Sequence, residues 1–154
     1  MERPKHFLYP GALYINPEPY LITTILGSCV AVCLYDPVLK IGGMNHYMLP
    51  LWNGQGLASP RYGNIAIKKL IENIEVLGSS RKNLKAKIFG GAEIITTNVS
   101  QFMIGERNIN IAKEMLHEEG LPIVASSVGG KYGRKIIFDT FSGEVRQKYV
   151  GSQK

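Results

Sequence analysis

The chain has 154 residues, 45% hydrophobic and 19% charged, a balance that predicts one folded domain over 1–154 and excludes a disordered tail. Two cysteines cannot build a disulfide framework or a four-cysteine zinc site, and no apolar run approaches the roughly 18 residues of a membrane span. The net charge of +6 lies in residues 61–154, since the charges of residues 1–60 sum to zero.

The segment before Tyr20 carries Pro4, Pro10, Pro17 and Pro19 and lacks the apolar stretch of a secretory signal. The expectation is a cytoplasmic protein with reduced thiols and no membrane insertion. Leu21–Leu26 is β-branched and apolar and reads as a strand, broken by Gly27 and Ser28. Residues Cys29 to Tyr35 are apolar on both faces, which predicts a buried central strand ended by Asp36-Pro37, with a short buried helix as the alternative. Residues 42–50 read as the next strand, antiparallel to it about the Asp36–Lys40 turn. A loop follows to Tyr62. Ile67, Leu70, Ile71, Ile74 and Leu77 then fall at helical spacing, and Gly78 stops the helix.

Leu84, Ala86 and Ile88 alternate with Lys85 and Lys87, the pattern of a half-buried strand running to Gly90-Gly91. Residues 92–104 have no clear period. A second helix is expected from about Glu106 to Gly120, and a strand over 121–128. Gly129-Gly130-Lys131-Tyr132-Gly133 reads as a turn, because it lacks the ending of a phosphate loop. Arg134–Asp139 and Glu144–Val150 then form a hairpin around Ser142-Gly143. Strands, helix, strand, helix, strands predict an α/β or α+β sandwich, with a mixed or mostly antiparallel sheet and helices on it.

The basic run Arg81, Lys82, Lys85 and Lys87 has two readings. One is a solvated helix end leading into a strand, and the other a nucleic-acid patch. No aromatic residue lies within the run, so no nucleic-acid partner is expected. Spacing of His, Cys and acids gives no metal site, and no cofactor fingerprint is present.

Cys29 is the nucleophile candidate. It follows Leu26-Gly27-Ser28, where a glycine turn exposes the next side chain and leaves the backbone N–H groups of Ser28 and Cys29 able to face an oxyanion. Cys33, four residues on, shares its face in a strand and reads as packing. A thiol needs a base. His6 sits among prolines and His117 among glutamates, whereas His46 lies in an apolar segment that an antiparallel pairing about Asp36-Pro37 returns toward Cys29. Its bland alternative is a satisfied core histidine. A third group, a hydroxyl of Thr23 or Thr24 or a carbonyl there, could accept from the other imidazole nitrogen.

The segment Thr23 to Pro37, with Leu26-Gly27-Ser28-Cys29 at its centre, and the segment Gly42 to Pro50, with Asn45-His46, resemble the CheD family of chemoreceptor glutamine deamidases. Lys87 to Ala92, Ile104 to Asn108, Val128-Gly129-Gly130, Gly133-Arg134 and Ser142 to Val145 extend the resemblance over roughly residues 8–150. The resemblance implies a three-layer α/β sandwich similar to the catalytic domain of the cytotoxic necrotizing factor toxins. It implies hydrolysis of glutamine side-chain amides on methyl-accepting chemoreceptors, with no cofactor. The family's catalytic cysteine, histidine and threonine correspond to Cys29, His46 and Thr23, the last chosen over Thr24 as the residue six before the cysteine. It also implies the CheC phosphatase as a partner. A chain that serves mainly as a regulatory partner of CheC, with little turnover, is the alternative function.

Overall fold

A computed structural model describes residues 3–93 and 103–151. It has a mixed α/β fold with two sheets and two helices. The strands are β1 (Lys5–Phe7), β2 (Leu13–Asn16), β3 (Leu21–Leu26), β4 (Val30–Asp36), β5 (Ile41–Asn45), β6 (Lys85–Gly90), β7 (Ile123–Val128), β8 (Gly133–Asp139) and β9 (Val145–Val150), and the helices are α1 (Gly63–Val76) and α2 (Ile104–Glu118). Strands β1-β3-β8-β9 form one sheet and β2-β5-β4-β6-β7 the other.

Strand β4 explains the apolar run on both its faces. Val30, Val32 and Leu34 join a core with Ala66, Ile67, Leu70 and Ile74 of α1 and Ala112 and Leu116 of α2. The alternate residues Ala31 and Cys33 enter a second core with Ile22 and Leu26 of β3 and Ile136 and Phe138 of β8. A strand with helices on one side and a second sheet on the other has no wet face, so it carries no polar alternation. The strand reading is the one realised, and β4 lies at the centre of its sheet. The ungrouped single sheet of the sequence reading is thus two sheets, and the chain crosses from one to the other between Leu26 and Val30.

The helix stops hold: Gly78 and Gly120 both have positive φ, at 109° and 74°. Strands β1 and β2 were not expected. Prolines cut their segment into pieces of five and six residues, within which the strands span three and four, too short for a period to register, and both strands lie at sheet edges where proline is tolerated. Lys87 also departs from expectation. Its alternation suggested a solvent face, but its ammonium donates to the Gly143 carbonyl at 2.7 Å and sits over the Tyr35 ring, because the β8–β9 turn covers that side. Arg81 pairs with Glu75 and Glu119, so two of the four residues of the basic run are engaged within the molecule.

Candidate active site

The crossover between the sheets builds the site. Pairing of β4 with β5 runs from Asp36↔Ile41 through Cys33↔Met44, and the bridge Val30↔Tyr47 continues the same register. Val30 and Tyr47 both face the helices, so His46 stands opposite Ala31 on the other face, toward the second sheet. Cys29 shares that face, one diagonal step from His46. Diagonal neighbours in such a pair have Cα atoms about 7–8 Å apart, a gap that side chains span. Cys29 packs against the inter-sheet core yet remains half-exposed, whereas His46 behind it is buried.

Strand β5 lies between β4 and β2, and the residues just past its end keep a neighbour on each side. The Asn45 side chain accepts from the Val32 N–H at 2.8 Å, taking the place of a ladder bond. His46 instead bonds to the segment before β2: its N–H donates to the Ala12 carbonyl at 3.1 Å and its carbonyl accepts from Gly11 at 2.8 Å. The imidazole backbone is therefore clamped from a part of the chain the sequence reading left without structure.

The hydroxyl against His46 belongs to Thr24, not Thr23. Thr24 Oγ1 lies 2.7 Å from His46 Nδ1 and donates to the Leu8 carbonyl at 2.7 Å. On β3, Ile22, Thr24 and Leu26 are buried on the inner face, and Thr23 points out of the other side of the sheet. Counting six residues back from the cysteine, as the resemblance implies, lands on Thr23 and the outer face, because side chains alternate along a strand. The network also fixes the proton. A threonine hydroxyl has one hydrogen, and the Leu8 carbonyl can only accept it. The oxygen must therefore accept from Nδ1–H, which leaves the lone pair of His46 on Nε2.

Burial holds the imidazole well below its usual range, at about 4, and it is neutral at pH 7. Burial also pushes the Cys29 thiol up, an effect the nearby backbone amide only partly offsets. The resting pair is thus thiol and imidazole rather than a preformed thiolate and imidazolium. Cys33 is buried and its thiol is pushed far up by desolvation, which leaves it unreactive. His6 stacks on Tyr14 at 3.8 Å, and His117 lies in the exposed last turn of α2, so neither approaches the thiol.

Two further features carry no site role in the sequence, where Gly90 is a strand end and Arg134 part of the resemblance. Gly90 has a φ of 107°, and a side chain there would overlap the Cys29 carbonyl oxygen. Buried Arg134 donates to the carbonyls of Gly90 and Gly129 at 2.8 and 2.6 Å, bracing the same corner. A glycine pair and an arginine are legible as a turn and a charge, but their partners come from elements far away in sequence. Among the described residues, no group of three or more His, Cys, Asp or Glu could hold a metal ion, and no helix is long and apolar enough to cross a membrane.

Comparison with known proteins identifies the family. The model for CheD chemotactic sensory transduction matches residues 48–149, beginning just past His46. Curated relatives extend the match across the site. A probable chemoreceptor glutamine deamidase CheD of Sulfurimonas denitrificans is 52% identical over 97% of each chain. This chain belongs to the CheD family. A second probable chemoreceptor glutamine deamidase CheD, from Trichlorobacter lovleyi, is 51% identical over 92% of this chain and 88% of its own. One from Rhodospirillum rubrum is 43% identical over 97% and 84%. Among solved structures, the crystal structure of Neisseria meningitidis protein NMB0706 overlays on 83% of this chain and 63% of its own, at 10% identity and a TM-score of 0.45.

Proposed function

We propose that this CheD-family chain is a protein-glutamine deamidase that converts glutamine side chains of methyl-accepting chemoreceptors to glutamate through Cys29. The observation that carries the reading is the convergence of a half-exposed thiol, a buried imidazole on the same face, and a threonine hydroxyl that leaves Nε2 as the free base.

Cys29 Sγ attacks the carboxamide carbon as its proton passes to His46 Nε2. The new C–S bond leaves an oxyanion beside the N–H groups of Ser28 and Cys29, which have no carbonyl acceptor among the described residues. The imidazolium then protonates the departing nitrogen, and ammonia leaves. Water attacks the thioester as its proton passes to Nε2, and collapse releases glutamate and the thiol. Thr24 holds the imidazole throughout, because its hydroxyl opposes either reversal of the ring or loss of the Nδ1 proton. Starting from neutral partners, the enzyme creates its ion pair only as the substrate is attacked.

The two cores on either side of the five-stranded sheet support a three-layer arrangement like that of the cytotoxic necrotizing factor catalytic domain. In the same reading the chain works in the cytoplasm, where its thiols stay reduced, and meets CheC as a regulatory partner, which calorimetric titration with purified CheC tests.

The deciding experiment incubates the protein with a receptor cytoplasmic fragment and follows ammonia release and amide-to-acid conversion by mass spectrometry. Wild-type protein should turn over, and Cys29→Ala should not. Wild-type rates from Cys29→Ala would overturn the assignment.

A further inference from the structure

We infer that Asn108 is a positioning residue of the oxyanion site, its side-chain amide setting the orientation of the Ser28–Cys29 peptide. The inference rests on the reading of Cys29 as nucleophile. Three successive carbonyls in the crossover are tied. Gly27 accepts from the Ala92 N–H at 2.9 Å, Ser28 from Asn108 Nδ2 at 3.0 Å, and Cys29 from the Gly91 N–H at 2.8 Å. In a planar trans peptide the C=O and the N–H point in opposite directions. Tying the Gly27 and Ser28 carbonyls toward the end of β6 and toward α2 therefore turns the N–H groups of Ser28 and Cys29 the other way. Cys29 packs on the face toward the second sheet, opposite the helix core, so this is the side on which the oxyanion would form.

Two of the three ties are main-chain groups. Asn108 is the side chain among them, and it does more than satisfy one carbonyl. The same Nδ2 donates to the Met48 carbonyl at 3.0 Å, so one amide spans the nucleophile turn and the segment two residues past His46. Both partners can only accept, which fixes the nitrogen, not the oxygen, toward them. Asn108 is buried, and its main-chain carbonyl accepts from the Tyr47 hydroxyl at 2.5 Å. Tyr47 is bridged to Val30, so the tie closes a loop around the site. The helix comes this near because Gly91 and Gly105 have no side chains: a Cβ on Gly91 would overlap Ile109, and one on Gly105 the main chain of Gly91 and Ala92.

The test separates positioning of the oxyanion donors from general support of the fold. Amide hydrolysis builds an oxyanion, whereas alkylation of the thiol by iodoacetamide is displacement at a saturated carbon and builds none. Asn108→Asp turns a carboxylate oxygen toward two carbonyls, and Asn108→Ala leaves both unpaired. In each, kcat for the receptor fragment should fall about 10- to 100-fold, as expected for a misplaced oxyanion donor. KM should stay within about 2-fold and the alkylation rate of Cys29 within about 3-fold, because neither senses that donor. Asn108→Ser, which retains one donor, should recover part of kcat, and it carries the same criteria if the other two do not fold. An unchanged kcat in a folded variant overturns the proposal. So does a proportional fall of deamidation and alkylation, the signature of a structural role alone. Wild-type protein alkylated at Cys29 is the control for the underlying reading. Full deamidation by that protein would remove the cysteine mechanism itself, whatever the Asn108 variants do.

Discussion

Thr24→Val, set against Thr23→Val, is the sharpest perturbation of the site. Valine keeps the shape of threonine and removes the hydroxyl. At position 24 that hydroxyl makes two bonds of 2.7 Å, to the Leu8 carbonyl and to His46 Nδ1, and it is buried. Each of the two partners left unpaired in a buried place costs about 1–3 kcal/mol, and the added methyl regains about 0.8 kcal/mol, so the fold should lose about 1–5 kcal/mol. The effect on rate comes from the imidazole. Without an acceptor at Nδ1, the tautomer with a free Nε2 loses one hydrogen bond of preference. At about 1.4 kcal/mol per factor of ten, kcat should fall roughly 10- to 100-fold. KM should hold, because a buried hydroxyl cannot touch the receptor. Thr24→Ser keeps the oxygen and should restore most of kcat. Thr23→Val lies on the outer face and should change stability by less than about 0.5 kcal/mol and the rate by less than about 2-fold. Urea unfolding and ammonia release from a receptor fragment measure both quantities. A large rate loss in Thr23→Val with none in Thr24→Val would refute the tautomer argument.

Because His46 titrates near 4 rather than 6.5, kcat/KM should show no acid limb between pH 5 and 7, with loss of activity only as pH falls toward 4. A limb near pH 6.5 in a pH-rate profile would contradict that. The same depressed pKa means that below pH 6.5 the unfolded chain binds a proton the native chain does not. Stability present above pH 6.5 is then lost progressively as pH falls toward 4, by up to about 3 kcal/mol from this group, and His46→Gln should lose that part of the pH dependence in urea titrations. Native protein should take one equivalent of iodoacetamide, at Cys29, and Cys33→Ala should retain turnover while losing about 1 kcal/mol of stability from the inter-sheet core. Peptide mapping reads the labelling, and a label at Cys33 in the folded protein would contradict its burial. Gly90→Ala should destabilise by about 2–4 kcal/mol and depress deamidation, since the methyl forces the Cys29 carbonyl aside at a φ that disfavours it. Thermal unfolding near the wild-type midpoint would show that the corner yields.

The pattern of side chains along single elements was sufficient for much of this molecule. Alternation and helical spacing are local signals, and they specify β4, α1, α2 and the β8–β9 hairpin with ends displaced by only a few residues. The Asp36–Lys40 turn, through one register, also determined that His46 would return to the face of Cys29. What the local pattern cannot carry is which elements stack. The division into two sheets, the cover over Lys87 and the edge strands β1 and β2 follow from burial shared between segments distant in sequence. Parity is the clearest instance. Thr23 and Thr24 are chemically identical neighbours, and only the side of β3 that meets the second sheet selects Thr24. Asn108 is similar: the sequence marks it only as the end of the Ile104 to Asn108 segment, with no role, and its meaning arises where tertiary packing brings its amide to two carbonyls, 60 and 80 residues away in sequence.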